Sequence, residues 1–200
     1  VQPLGPGTAD VLAWTVGQVG AWQSQAHRAW SYAFEADYQM PAWWAKPWLR
    51  VGFNRSSGDD DPDDGVHGTL FQVLPTARLY ADTPFYNMMN NQDLFVQLLT
   101  KPLAAVGLDM SFHHLRATEG KDFVYFGGGA TKGDFFGYGG TPASGLHELA
   151  YLVDFTVSYQ ALSFLRIEGY YGHAFGQGIA EAAFVNDALD YGFVEVVMAF

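Results

Sequence analysis

The stretch Gly58 to Gly68, GDDDPDDGVHG, places five carboxylates between Asp59 and Asp64 of a chain in which only 16% of residues are charged. Hard divalent cations take several carboxylate oxygens, so Asp59, Asp61 and Asp63 are candidate ligands for Ca2+. The EF-hand spacing is not met. Counted from Asp59, Asp64 stands where that loop needs its glycine and Leu70 where it needs a bidentate glutamate. A Pro-Asp-Asp-Gly turn whose charges are met by water and loosely held cations accounts for the same residues. A second group, Asp109, Ser111 and His113, has the residue types of a nucleophile, a base and an orienting acid. No nucleophile elbow or oxyanion-hole motif accompanies it. His113 and His114 cannot chelate one ion together, because neighbours on a strand point to opposite faces. The glycines between Phe126 and Gly140 lack the Lys-Ser/Thr of a phosphate loop. They read as a flexible loop in which Tyr125, Phe135, Phe136 and Tyr138 could stack on each other or on sugar rings.

Those residues must be positioned by the elements around them. With 200 residues, 49% apolar and 16% aromatic, the chain is one domain or a piece of one, and it is not disordered. A formal charge of -11 with ten Lys and Arg argues against nucleic-acid binding, which needs clustered cations. No apolar run approaches the ~18 residues of a spanning helix. The absence of cysteine removes disulfides and thiolate metal sites. No signal peptide is visible at Val1, so either one has been removed or the chain starts within a longer protein.

Strict alternation is the dominant pattern. In HELAYLVDFTVSYQ, Leu149, Tyr151, Val153, Phe155, Val157 and Tyr159 form one face, and Glu148, Asp154, Thr156, Ser158 and Gln160 fall on the other. The same period recurs in DVLAWTVGQVGAW, AHRAWSYAFEADY, PWLRVGFNR, DLFVQLLT, LAAVGLDMSFHH, LSFLRIEGYYGH and YGFVEVVMAF, giving about eight strands. Tight turns are expected near Gln39 to Lys46, Lys101 to Pro102 and Gln160 to Leu162. Long connections are expected at about 56–90, 117–146 and 176–189. Long and short connections segregated to opposite ends, with aromatics such as Trp43, Trp44, Trp48, Tyr170 and Tyr171 near strand ends, predict an all-β antiparallel transmembrane β-barrel with external loops and short periplasmic turns. A soluble β-barrel or sandwich binding an apolar ligand is the alternative. The last strand, ending on Phe200, resembles the C-terminal signal read by the barrel assembly machinery.

The block SGDDDPDDGVHGTLFQVLPTARLYADTPFYNMMNNQD, with FVYFGGGA, FGYGGTPASG and GYYGHAFG, resembles the alginate export family of outer-membrane proteins. The resemblance covers most of the chain beyond Arg50. It implies a monomeric barrel of about eighteen strands in the outer membrane of a Gram-negative cell, with loops folded into the pore and an anionic polysaccharide as cargo. Eight strands cannot make that barrel. The 200 residues are therefore expected to be the C-terminal part of one barrel domain, in contact with outer-membrane lipid and lipopolysaccharide.

On the faces assigned inward, the lining is expected to hold Arg50, Asp93, Asp109, His113, Glu148, Asp154, Arg166, Glu168 and Glu195, which is a largely acidic wall. Arginines are what the resemblance implies for a path that attracts uronates. The missing strands would have to carry that positive side, or the solute is a small neutral or cationic one. TPFYNMMNNQD is too apolar for an exposed loop and too amidic for a lipid-facing strand. It is expected to dip into the lumen as a constriction, with Phe85, Met88 and Met89 on the inner wall, Tyr86, Asn87, Asn90 and Asn91 facing the aqueous path, and Arg78 adding a positive charge. These features predict a channel rather than an enzyme; an outer-membrane hydrolase using His113, Ser111 and Asp109 is the second reading.

Overall fold

In the computed structural model of the protein, the residues described are 2–73, 80–127 and 138–199. In chain order the elements are β1 (Gln2–Leu4), β2 (Gly7–Trp22), β3 (Gln25–Gln39), β4 (Trp48–Ser56), β5 (Val66–His67), β6 (Asn91–Leu103), β7 (Val106–Ala117), β8 (Phe123–Gly127), β9 (Tyr138–Pro142), β10 (Glu148–Leu162), β11 (Leu165–Gly176), α1 (Gly178–Ala183) and β12 (Ala188–Met198). The path β1-β2-β3-β4-β6-β7-β10-β11-β12 is one antiparallel sheet in sequence order. The short β5 lies parallel to β3, and β8 pairs with β9 in a separate hairpin. The sheet is open, with β1 and β12 at its edges, and the described strands do not close on themselves. No helix among the described residues is long and apolar enough to cross a membrane, which does not bear on crossing by strands.

Register fixes which side chains share a face, because residues opposite each other on neighbouring strands point the same way. One row across the sheet reads Leu12, Glu35, Gly52, Phe95, His113, Leu152, Ala174, Leu189. The adjacent row on the other face reads Val11, Ala36, Val51, Val96, Phe112, Val153 before reaching His173 and Asp190. From Glu35 to Ala174 the first face is buried beneath the connections, while Leu12 and Leu189 at its ends are exposed. The second carries Trp30, Tyr32, Phe34, Leu94, Val96, Phe112 and Val153 exposed. A side chain of that size gains roughly 1.5–3 kcal/mol when removed from water, so a whole face of them left uncovered is the inverse of a soluble sheet.

The core lies between the covered face and the chain that crosses it. Ala29, Leu115, Ala150, Leu152 and Ala174 of the sheet pack against Leu70, Ala81, Tyr86 and Met88 of the β4–β6 connection. The wall side chains are mostly small here, which lets a second layer of backbone approach. A smaller cluster joins Ala117, Val124, Ala143 and Ile179 under the β8–β9 hairpin and α1.

The long connections, β4–β6, β7–β10 and β11–β12, do leave from one end of the sheet. Two tight turns lie further along than alternation alone indicates. β6 runs on to Leu103 and turns at Ala104 and Ala105, and β10 runs on to Leu162 and turns at Ser163 and Phe164. In each case the register shifts just before the turn, between Thr100 and Leu103 and between Gln160 and Leu162. Such a bulge accommodates Pro102, which has no N–H for the ladder. The Lys101 N–H instead donates to the Ala45 carbonyl of the neighbouring turn at 2.6 Å.

Candidate functional site

The covered face and the chain lying against it form the site. Part of the β4–β6 connection folds inward rather than outward, and its anchors are specific. Gln18 of β2 grips Phe71 at both ends, accepting from its N–H at 2.8 Å and donating to its carbonyl at 2.7 Å. His67 stacks on Trp22 with ring centroids 4.5 Å apart, and its Nδ1 lies 3.0 Å from Nδ1 of His27. Trp14 Nε1 donates to the Tyr80 hydroxyl at 3.2 Å. Further along, the Tyr86 hydroxyl donates to Asp93 Oδ2 at 2.9 Å and accepts from Asn54 Nδ2 at 3.1 Å. Burial first, and the Asp93 carboxylate second, push the Tyr86 phenol well above its usual range, so it remains a donor.

Among the asparagines of the segment, Asn90 ties it to the next loop. Asn90, with φ of 51°, donates from Nδ2 to the carbonyls of Glu119 and Phe123 and accepts from the Glu119 N–H at 2.7 Å. Asp122 completes this junction. Its Oδ2 accepts from the Asp59 N–H at 2.9 Å and the Thr69 hydroxyl at 2.6 Å, and its Oδ1 accepts from Phe123 N–H and the Tyr125 hydroxyl. Two long connections are thereby pinned to one carboxylate. Gly58 sits so close that an added Cβ would lie 2.1 Å from Asn90 Oδ1, which only glycine avoids.

Of the constriction residues, Tyr86, Asn87, Met88, Met89, Asn90 and Asn91 are buried and Phe85 half-buried. The expectation that Tyr86 and the asparagines face the aqueous path is corrected, since all four are buried: Tyr86 fastens the segment to the wall, Asn90 fastens it to the next loop, and Asn87 accepts from the Met89 N–H within the segment. Arg78 lies outside the described residues, as do Phe135, Phe136 and Phe200.

On the wall itself, Arg50 is held by acids of its own face. Its Nη2 is 2.5 Å from Glu35, its Nε 3.6 Å from Asp37, and its Nη1 donates to Gln97 at 2.5 Å. Gln97 passes the network on to Asp109 at 2.8 Å. Arg166 pairs with Glu168. Glu195 stands opposite Glu168 on the same face. Below the inserted segment, an open cavity of about 480 Å³ is bordered by Asp82, Asp109, Arg166 and Glu168, and a smaller one of about 150 Å³ by Asp82, Asp109 and Asp154.

Two candidates move. Glu148 is not on the covered face: a register shift between Glu148 and Ala150 turns it to the other side, where it meets His114 and Arg116 at 2.7 Å each. The trio Asp109, Ser111 and His113 shares a face without forming a relay. Ser111 donates to Asp109 at 3.5 Å, whereas the buried His113 ring lies between Asp93, 2.9 Å from Nδ1, and Asp154, 3.9 Å from Nε2. A base held between two carboxylates and away from its nucleophile cannot activate it.

The aspartate run is spent largely on its own backbone. Asp59 Oδ1 accepts from the Asp61 N–H, Asp61 from Asp63 and Asp64 from Val66, a chain of Asx turns. Asp59 is buried and its carboxyl is raised, mainly by desolvation. Among the described residues, no three acidic or histidine side chains converge as a metal group. The anchors Gln18, His27, Asn54, Tyr80 and Asp122 had no signal in the sequence, since each is an isolated polar residue that becomes meaningful only through a partner about ten to sixty positions away.

A family model described as alginate export matches residues 11–181, well over half of the chain. No curated protein and no solved structure matches it.

Proposed function

The chain belongs to the alginate export family, and from that premise we propose that it forms part of the wall of an outer-membrane channel for polysaccharide, with the covered face lining the lumen and the 57–90 connection narrowing it. One observation carries this reading: an apolar sheet face is left exposed while the polar face is covered by an inserted loop. Lipid covers the first face, and strands of 9 to 16 residues are long enough to cross its hydrocarbon core when tilted. The open edges at β1 and β12 require further strands for closure, because an unpaired backbone edge is not tolerated in lipid. On the described part of this wall both arginines, Arg50 and Arg166, are matched by acids, so it offers carboxylates and amides to a passing chain of sugars. Any pull on a polyanion then comes from the remainder of the barrel. Conductance of the full-length protein in planar bilayers tests the proposal: discrete openings that enlarge on deletion of residues 57–90 support it, and silence from both forms contradicts it.

A further inference from the structure

The inward face is acidic, yet the cations of the outward face gather at one level. On the described strands the outward-facing basic residues are Arg28, Arg55 and Arg116, and each stands at the end from which the long connections leave. Arg55 and Arg116 belong to one cross-strand row, Tyr32, Arg55, Gln92, Arg116, which puts two strand spacings, ~10 Å, between them. Arg55 lies 5.8 Å from the Trp30 ring, which holds its charge at the aromatic level. Among the described residues neither Arg28 nor Arg55 has a carboxylate partner. Arg116 shares Glu148 with His114. The other outward acid on the strands, Asp190, is at the far edge, engaged by His173 and Tyr171. Unmatched guanidinium groups set just above an apolar belt, in a protein of net charge -11, are complementary to an anion brought by the surroundings.

We propose that Arg55 and Arg116, with Arg28 above them, form an outward-facing site for the phosphate of an outer-leaflet glycolipid whose acyl chains lie on the Leu94, Val96 and Phe112 surface below. The site rests on the outer-membrane reading, since that reading supplies the lipid. Guanidinium pairs phosphate in a bidentate fork, and the apolar strip directly beneath gives the chains a place that free phosphate has no use for. Glu148 tempers the site by holding part of the charge of Arg116.

The test is native mass spectrometry of the detergent-purified full-length protein titrated with bisphosphorylated lipid A, with its dephosphorylated form and with inorganic phosphate. Each arginine near the surface contributes about fivefold, so Arg55→Gln or Arg116→Gln is expected to weaken lipid A binding about fivefold and the pair about twenty-five-fold. Glu148→Gln, which keeps both arginines, is expected to strengthen it. Equal binding of the dephosphorylated lipid, or no response to any of the four variants, overturns the site. Displacement of the lipid by millimolar inorganic phosphate overturns the lipid as the occupant. Conductance recorded on the same preparations separates the two readings: a conducting protein indifferent to phosphate refutes this site alone, and one released from membranes by carbonate refutes both.

Discussion

Replacing Tyr86 with Phe removes one oxygen and leaves the ring, so it isolates the fastening of the inserted loop from its packing. The lost group donates to Asp93 at 2.9 Å and accepts from Asn54 at 3.1 Å, on a buried side chain. A hydrogen bond to a charged group contributes roughly 1.5–3 kcal/mol, and Asp93 keeps only its contacts with His113 and Asn54 afterwards. That free energy corresponds to a rise of about 10- to 150-fold in the population of the detached loop. Amide hydrogen exchange of the full-length protein in micelles reads this population directly: residues 80–90 should lose protection by that factor while β6 and β7 keep theirs. In bilayers the same variant should show more frequent transitions between conductance levels. Unchanged exchange across 80–90 would mean that packing of Met88 and the ring alone holds the segment, and the latch between loop and wall would be wrong.

Asp122→Ala strands the hydroxyls of Thr69 and Tyr125 and the N–H groups of Asp59 and Phe123. A loss of about 3 kcal/mol or more is expected, with the 57–73 and 118–127 segments losing exchange protection together. Burial lowers the pKa of His67, with His27 adding to the shift and Asp122 opposing it. A depressed histidine favours the neutral ring in the folded state, so the β5 contact is fully present above the ordinary value of about 6.5 and is lost as pH falls through the folded value. Exchange at residues 66–67 followed from pH 7.5 to 5 should show that loss, and His67→Gln should flatten it. Val153→Arg puts a cation on the exposed apolar face, where it costs about 2–4 kcal/mol near the middle of the bilayer. The folded fraction in lipid vesicles should fall, while Thr156→Arg on the opposite face should be tolerated.

Periodicity was enough to read the sheet. Alternation names all eight long strands and the faces of seven of them, and register confirms these row by row and fixes the face of β2. It misplaces the turns at Lys101 and Gln160 and the face of Glu148 for one physical reason, since a bulge adds a residue without altering composition and inverts the period locally. The apolar, amidic character of PFYNMMNN agrees with its burial against the covered face of the sheet. The role of Tyr86 was not: its hydroxyl reads as a group seeking water until Asp93 and Asn54 are placed beside it. The same holds for Arg50, which looks like a lure for anions in the sequence and is matched by Glu35 and Asp37 once β3 lies alongside.

That one sheet divides lipid from an aqueous lumen can be tested directly, because these 200 residues contain no cysteine. Single cysteines introduced in turn from Val153 to Tyr159 along β10 can be spin-labelled in the full-length protein in bilayers, and their collisions with oxygen and with a water-soluble nickel chelate compared. The expected result is alternation with period two, with 153, 155, 157 and 159 favouring oxygen and 156 and 158 favouring the chelate. Uniform access to the chelate on both faces would contradict the membrane wall outright.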